Sequence, residues 1–440
     1  MPYHWDELGA YHLPSHWLAD GSLIRSLPGF HPPTTFFGHP FGLYITLASL
    51  FKIFGDSIIV SHVFILTVSY AGLVYTYLLG KLLHNNIVGI IASLLLLSTP
   101  LYFAQSSMVT GDSAITSLGV ITIYYFLKRD YLPYLISGIL LVLAKESAAA
   151  IIASLLIYLY LSNNEKPSLG LFARYSIPLL LICAFFIAQK ITSGMFLPNP
   201  YFNRNSFFEP TFSGWLNKLE LVSSWVFTKQ YRIILLLTVV TNLVINKSTA
   251  IKKEYSLFVI LFITFISAFT SIYFLSRYVL PILPYFYIMA ASSIVMLSVH
   301  KKFYIPVTII IMLIFISKMH GHDVGYGSHE NDLQYTDIVL SHKDACEYIE
   351  YNYPGKVVLT EWPITSALTL PCLGYVKKQV VTTDDFRDKA DIIVYNKFTD
   401  DFRATPFQVH LAKKIAKKQT TLIKSFYRNG KSVEIYLNSN

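Results

Sequence analysis

The chain has 440 residues, of which 53% are hydrophobic and only 14% charged, with a mean hydropathy of +0.48. An average soluble domain carries about 25% charged residues, so an ordinary soluble globular protein is excluded. The formal net charge is +9; on so apolar a chain the excess cations orient loops at a lipid bilayer and do not point to nucleic acid.

Residues 1–38 are rich in Pro, His and aromatic residues and predict a first outer loop with short helices, not a span. His39–Phe54 is apolar but short and contains Pro40 and Lys52, which predicts a helix lying in the membrane interface. Apolar segments approaching the roughly 20 residues of a bilayer span follow at Ser57–Leu79, Ile87–Phe103, Ser113–Leu127, Leu171–Ile191, Ile233–Ile245, Tyr255–Leu275, Val279–Val299 and Phe303–Ser317. Tyr131–Leu161 is one apolar run interrupted by Lys145-Glu146. A continuous helix would hold both charges at mid-membrane, so two short helices meeting at Lys145 are expected, as tolerated beside a wet cavity. The expectation is a polytopic α-helical membrane protein of about ten transmembrane helices.

Loop charges orient it. Lys81, Lys128, Arg129, Lys166, Arg174, Lys247, Lys252, Lys253, Lys301 and Lys302 all fall on one side, which the positive-inside rule assigns to the cytoplasm. Asp6, Glu7, Asp112, Lys145, Arg277 and everything after Met319 then lie outside. Thr192–Gln230, with Asn203-Arg204-Asn205, reads as a long outer loop.

From His320 onward the composition turns polar, and residues 320–440 predict a small extracytoplasmic α/β domain following the membrane part, 1–319. His342–Tyr353 reads as a helix, Lys356–Thr360 and Asp391–Tyr395 as strands, and Phe407–Lys418 as a basic helix. Thr421–Tyr427 and Ser432–Leu437 form a hairpin about Asn429-Gly430. Cys183 lies in a span; Cys346 and Cys372 could pair if this domain is extracytoplasmic. The ligand types of His320, His322, Asp323, His329 and Glu330 suit zinc, but a polar linker emerging from the membrane is the better account of them. No cofactor is called for, and a divalent metal is left open.

Ionisable groups at span ends carry the functional expectation. Asp6-Glu7 could supply a general base to an acceptor hydroxyl, or cap a surface helix. Asp112, at the outer start of a span, could orient an acceptor or serve as an ordinary cap. Lys145 suits a phosphate, or an internal pair with Glu146. Arg277-Tyr278 could bind phosphate oxygens bidentately, or be an interfacial Arg beside a belt Tyr.

In their order, Asp6-Glu7 with Tyr11, His39-Pro40-Phe41-Gly42-Leu43-Tyr44, Asp112, Ala144-Lys145 and Arg277-Tyr278 with Leu280-Pro281 and Pro284 resemble the GT-C superfamily of membrane glycosyltransferases. The nearest branch is that of protein O-mannosyltransferases and the lipid A aminoarabinose transferase. The resemblance implies an inverting transferase that moves a sugar from a polyprenyl-phosphate-linked donor to a lipid, glycan or protein acceptor. It implies Asp6 as catalytic carboxylate with Glu7 beside it, Asp112 as second acid, and Lys145, Arg277, Tyr278 and His39 at the donor phosphate. Three features depart from the family pattern. The family has a transmembrane helix before the Asp-Glu loop, whereas this chain starts almost at the loop. His39 replaces a lysine before proline, and Glu146 follows Lys145 where glycine is frequent. A lipid-linked glycan transporter or flippase, a polysaccharide polymerase or ligase, and a non-catalytic relative are the alternatives.

Overall fold

The structure, a computed structural model, describes residues 1–30, 39–162, 168–194, 211–246, 253–271, 274–298, 302–321, 328–387, 389–398 and 406–438. Most of the described chain is helical, with a five-stranded sheet near its C-terminal end.

Helix starts follow local side-chain chemistry. Ser57, Asn85, Thr110, Ser168 and Thr211 each accept a hydrogen bond from a backbone N–H three residues on, at 3.3, 3.0, 3.4, 3.2 and 3.1 Å. Each satisfies a donor that the first helical turn leaves open. The helices they open are Ile58–Leu83, Asn86–Ser98, Gly111–Leu127, Leu169–Ser193 and Phe212–Phe227. The apolar run 131–161 is interrupted where the Lys-Glu pair predicts: Tyr131–Ala144 ends, Lys145 is extended (φ −160°, ψ 142°), and a second helix runs Ala149–Ser162.

Among the described residues, three helices are long and apolar enough to cross a membrane: Ile58–Leu83, Leu169–Ser193 and Ser276–Leu297. A pair bent by 100°, Phe212–Tyr231 with Ile233–Ile245, could supply a fourth span. Other apolar helices are shorter, among them Asn86–Ser98 and Tyr304–Ile316. Length and composition of the described helices therefore do not confirm the expected count of about ten. One reason is visible at Thr99-Pro100, where the run expected as Ile87–Phe103 divides into Asn86–Ser98 and Pro100–Gln105. A proline fits the first turn of a helix but not its interior. The expected outer loop 192–230 is also corrected: it contains the helix Phe212–Phe227, which buries Val222 and Val226. Asn203-Arg204-Asn205 lies outside the described residues.

The helix Gly42–Phe54 has both ends near the N-terminal segment. His39, ahead of it, stacks on Tyr11 with ring centroids 5.7 Å apart, and Lys52 Nζ donates to the Gly21 carbonyl at 3.1 Å.

The sheet has the order β2-β1-β3-β5-β4, built from β1 (Val358–Leu359), β2 (Thr382–Thr383), β3 (Ile392–Phe398), β4 (Thr420–Arg428) and β5 (Lys431–Asn438). β1 is parallel to β2 and β3, while β3–β5 and β5–β4 are antiparallel. The expected hairpin closes with Arg428 opposite Lys431, and both turn residues take positive φ (Asn429 44°, Gly430 82°), the conformation such two-residue hairpins demand. The helix Gln334–Asn352 begins eight residues before the expected start and packs on β5 and β4; Phe407 and Leu411 of Pro406–Ala416 pack against Ile393 and Tyr436.

This domain does not hang free. Its core, with Tyr335, Val339, Ile349 and Val358, is continuous with Tyr3, Leu8 and Leu13 of the N-terminal segment and with Ala104 and Met108 of the bundle. The Tyr375 hydroxyl donates to the Tyr3 carbonyl at 2.7 Å. Cys183, Cys346 and Cys372 are all free, and Cys346 is buried.

His342 is buried in this domain and pairs through Nε2 with Asn396 Oδ1 at 2.8 Å. Burial pushes its imidazole down to about 4, against 6.5 unfolded, with the Asn396 bond opposing the shift. Below pH 6.5 the unfolded chain takes up the proton first. The domain is therefore fully stable above that pH and loses stability as pH falls toward 4, by up to about 3 kcal/mol. Thermal unfolding of wild type and His342→Gln across that window checks this, the variant being expected to show the flatter profile.

Candidate active site

Asp112 opens the helix Gly111–Leu127 in its first turn, where the helix dipole favours an acid. Its side chain is only 2% exposed, and its two oxygens are divided between two cations. Lys145 Nζ donates to Oδ1 at 2.6 Å, and Arg277 Nε donates to Oδ2 at 3.1 Å. Lys145 reaches there because the break places it between two helices, and Gly111 leaves room for it. A Cβ on Gly111 would lie 3.0 Å from Lys145 Cδ and 2.6 Å from the Tyr11 hydroxyl oxygen.

Arg277 sits in the tight turn Ser276–Ile282 ahead of the helix Leu283–Leu297. Its guanidinium is bonded three ways: Nε to Asp112, Nη2 to Asp6 Oδ2 and Nη1 to Glu330 Oε2. Tyr278 lies beneath the two cations, with Lys145 Nζ 4.2 Å and Arg277 Cζ 5.9 Å from its ring centroid. Three carboxylates thus face two cations. Of these five side chains Asp6 is the open one, at 41% exposure; the others are 10% or less.

Glu7 is engaged elsewhere. Its carboxylate accepts from the Val109 N–H at 3.0 Å, from His62 Nε2 at 3.1 Å and from the His4 N–H at 3.2 Å. It ties the segment that carries Asp6 to the bundle. Glu7→Ala would orphan two backbone donors, and we expect a loss of about 2–3 kcal/mol, measured by thermal unfolding. Glu7→Gln, which keeps an acceptor oxygen, should recover part of it.

His39 pairs through Nδ1 with Glu146 Oε2 at 2.8 Å and stacks on Tyr11. Glu146, which by sequence stood beside Lys145, thus has its hydrogen bond on His39 while Lys145 bonds Asp112. The two departures from the resembled pattern, His39 and Glu146, meet each other.

Glu330 is the participant that sequence reading placed elsewhere, among zinc candidates with His320, His322, Asp323 and His329. It is buried against Arg277 and lies 3.8 Å from His4 Nδ1. Burial first, then His329, His342 and Arg277, hold His4 well below the usual imidazole range. The turn carrying Glu330 is pinned to the bundle: Gln105 Nε2 donates to the Glu330 carbonyl at 3.1 Å, Gln230 Nε2 to the Asn331 carbonyl at 3.0 Å, and Ser276 Oγ to Asn331 Oδ1. His322 and Asp323 lie outside the described residues. In the sequence Glu330 is marked only as one of several His and acidic residues that follow the last apolar run.

The arrangement joins an accessible carboxylate to two buried cations, chemistry suited to deprotonating a hydroxyl beside a departing phosphate. Residues 38–190 match the family model described as dolichyl-phosphate-mannose-protein mannosyltransferase. No curated protein sequence matches the chain. Among solved structures, the chain is similar to ArnT from Cupriavidus metallidurans bound to undecaprenyl phosphate, with a TM-score of 0.58 and 13% identity over 99% of this chain and 94% of that one. The apo form of the same protein gives 0.58 and 12% identity over 100% and 95%. The chain shares the fold of ArnT, one of the transferases of the branch that the sequence resembles.

Proposed function

We propose that the chain is an inverting glycosyltransferase that moves a sugar from a polyprenyl-phosphate-linked donor to a hydroxyl of a lipid, glycan or protein acceptor at the extracytoplasmic face of a membrane. The observation that carries this reading is the meeting of Asp6, Asp112, Lys145, Arg277 and Glu330, from five remote segments, in one bonded cluster. The mannosyltransferase family match and the fold shared with a protein seen bound to undecaprenyl phosphate favour the same donor class. Lysine- and arginine-rich loops at the opposite helix ends favour an outer site, with Gly42–Phe54 lying in the interface beside it.

In this mechanism Asp6 takes the proton of the acceptor hydroxyl. The acceptor oxygen attacks the anomeric carbon from the face opposite the phosphate, and the carbon–oxygen bond to phosphate breaks. The electron pair leaves with the polyprenyl phosphate, whose growing charge is met by Lys145 and Arg277. One displacement gives inversion. Phosphate is a good leaving group, so a separate general acid is not obligatory.

Charge balance adds an ordering. Three carboxylates against two cations leave the cluster one negative charge in excess before an anionic donor arrives. The donor phosphate must therefore displace a carboxylate from Arg277, and Asp6 is the one open to solution. Donor binding then frees Asp6 to act as base. The test is transfer by the purified full-length protein in lipid, supplied with defined polyprenyl-phosphate sugars and, separately, nucleotide sugars. Product formed only from the polyprenyl donors, with inverted anomeric configuration, is expected. Donor binding or translocation without product from any acceptor would favour the transporter or non-catalytic alternatives.

A further inference from the structure

Away from the Arg277 cluster, His12, Asp56 and Cys372 bring one nitrogen, one carboxylate oxygen and one sulfur to within 4.8 Å of one another. They come from three remote places. His12 ends the π-helical turn Glu7–His12, Asp56 lies just ahead of the helix Ile58–Leu83, and Cys372 sits in the turn Pro371–Leu373 of the sheet domain.

The second observation concerns His12 itself. Its side chain is fully buried, and neither ring nitrogen has a hydrogen-bond partner among the described residues. Leaving a buried imidazole unpaired is costly. Its Nε2 lies 3.8 Å from Asp56 Oδ1, while its ring is held by Tyr3, stacked at 4.1 Å, and the edge of Phe51 at 5.4 Å. The other oxygen of Asp56 is bonded by His16 Nδ1, which fixes the carboxylate's orientation as outer partners of metal ligands do.

The turn that carries Cys372 ends at Gly374. Gly374 has φ 78°, and a Cβ there would lie 2.2 Å from Ile58 Cδ1. The positive φ is the conformation that favours glycine here, in a turn lying against the head of the Ile58–Leu83 helix.

The geometry points to a zinc-type metal site formed by His12, Asp56 and Cys372, clamping the sheet domain to the N-terminal segment and to the bundle. Mixed nitrogen, carboxylate and thiolate ligation suits zinc, whose ligand atoms stand roughly 3–4 Å apart around the ion. Small side-chain rotations close the cluster to that spacing. On binding, the Cys372 thiol loses its proton to solvent and the thiolate coordinates; water completes the shell on the exposed side of Asp56. The clamp holds the same short segment that carries Asp6.

The test uses full-length protein purified through a tag without histidines, stripped with chelator, then titrated with Zn²⁺ or Co²⁺. One zinc per folded chain by elemental analysis is expected, together with a near-ultraviolet thiolate-to-cobalt charge-transfer band. Cys372→Ser should lose the band and weaken zinc binding by about tenfold or more. Cys372→Asp should keep zinc without the band. The double variant Cys183→Ser/Cys346→Ser, with Cys372 its sole cysteine, should keep both. Absence of stoichiometric zinc in folded wild type, or absence of the band in that double variant, would overturn the proposal.

Discussion

Asp6→Asn will lose transfer while binding the polyprenyl-phosphate carrier more tightly than wild type. The two effects share one cause. Asp6 is bonded to Arg277 Nη2, the position a donor phosphate oxygen needs, and it is the accessible carboxylate of the cluster. Asparagine retains the shape and an acceptor oxygen but not the charge. It cannot take the acceptor's proton, so turnover should fall by about 10²–10⁴-fold. It also competes less for the guanidinium, so carrier affinity should rise by a few-fold to about tenfold, up to ~1.4 kcal/mol. Steady-state transfer measured beside equilibrium binding of the free carrier separates these effects. An Asp6 that merely supports the fold would lower both together, and that result would sink the assignment.

The elements that were legible in the sequence are those where one local cost dominates. The break at Lys145 follows from the expense of two charges inside an apolar run, and the β4–β5 hairpin follows from the backbone needs of Asn429-Gly430. The helix Ile233–Ile245 appears with its expected bounds because polar residues flank a uniformly apolar stretch. By contrast Phe212–Phe227 escaped notice: Asn217, Lys218 and Glu220 interrupt its apolar pattern, and packing of Val222 and Val226 stabilises it from outside the segment. Within the site, Asp6, Asp112, Lys145 and Arg277 stood out as ionisable groups at apolar borders. Their pairing was not readable, since nothing local distinguishes Lys145 bonded to Asp112 from Lys145 bonded to Glu146. Glu330 and His12 lie further from view still. Glu330 sits in a polar stretch and His12 in an aromatic-rich one, and only the docking of the sheet domain on the N-terminal segment brings them into play.

Asp112→Ala is expected to be the most destabilising single change in the cluster. Asp112 is the hub between Lys145 and Arg277, whose side chains are 5% and 8% exposed. Removing the carboxylate leaves Lys145 without its hydrogen-bonded carboxylate partner and takes one of three carboxylates from Arg277. Breaking a buried pair from one side typically costs about 3–5 kcal/mol, because the desolvation of the remaining charge is no longer offset. Neutralising both partners should cost much less, so Asp112→Asn with Lys145→Gln will unfold at a higher temperature than Asp112→Ala. That double variant should nevertheless remain inactive, since it lacks the lysine that meets the leaving phosphate. The carrier offers a second readout. A bound phosphate supplies the negative charge that Asp112→Ala has lost, so saturating polyprenyl phosphate should raise the melting temperature of the variant more than that of wild type. Two results would remove Asp112 from this role: a melting temperature for Asp112→Ala matching wild type, or equal stabilisation of both by the carrier. Rescue of stability without rescue of transfer would instead identify Asp112 as the residue that positions Lys145 and Arg277, leaving proton removal to Asp6.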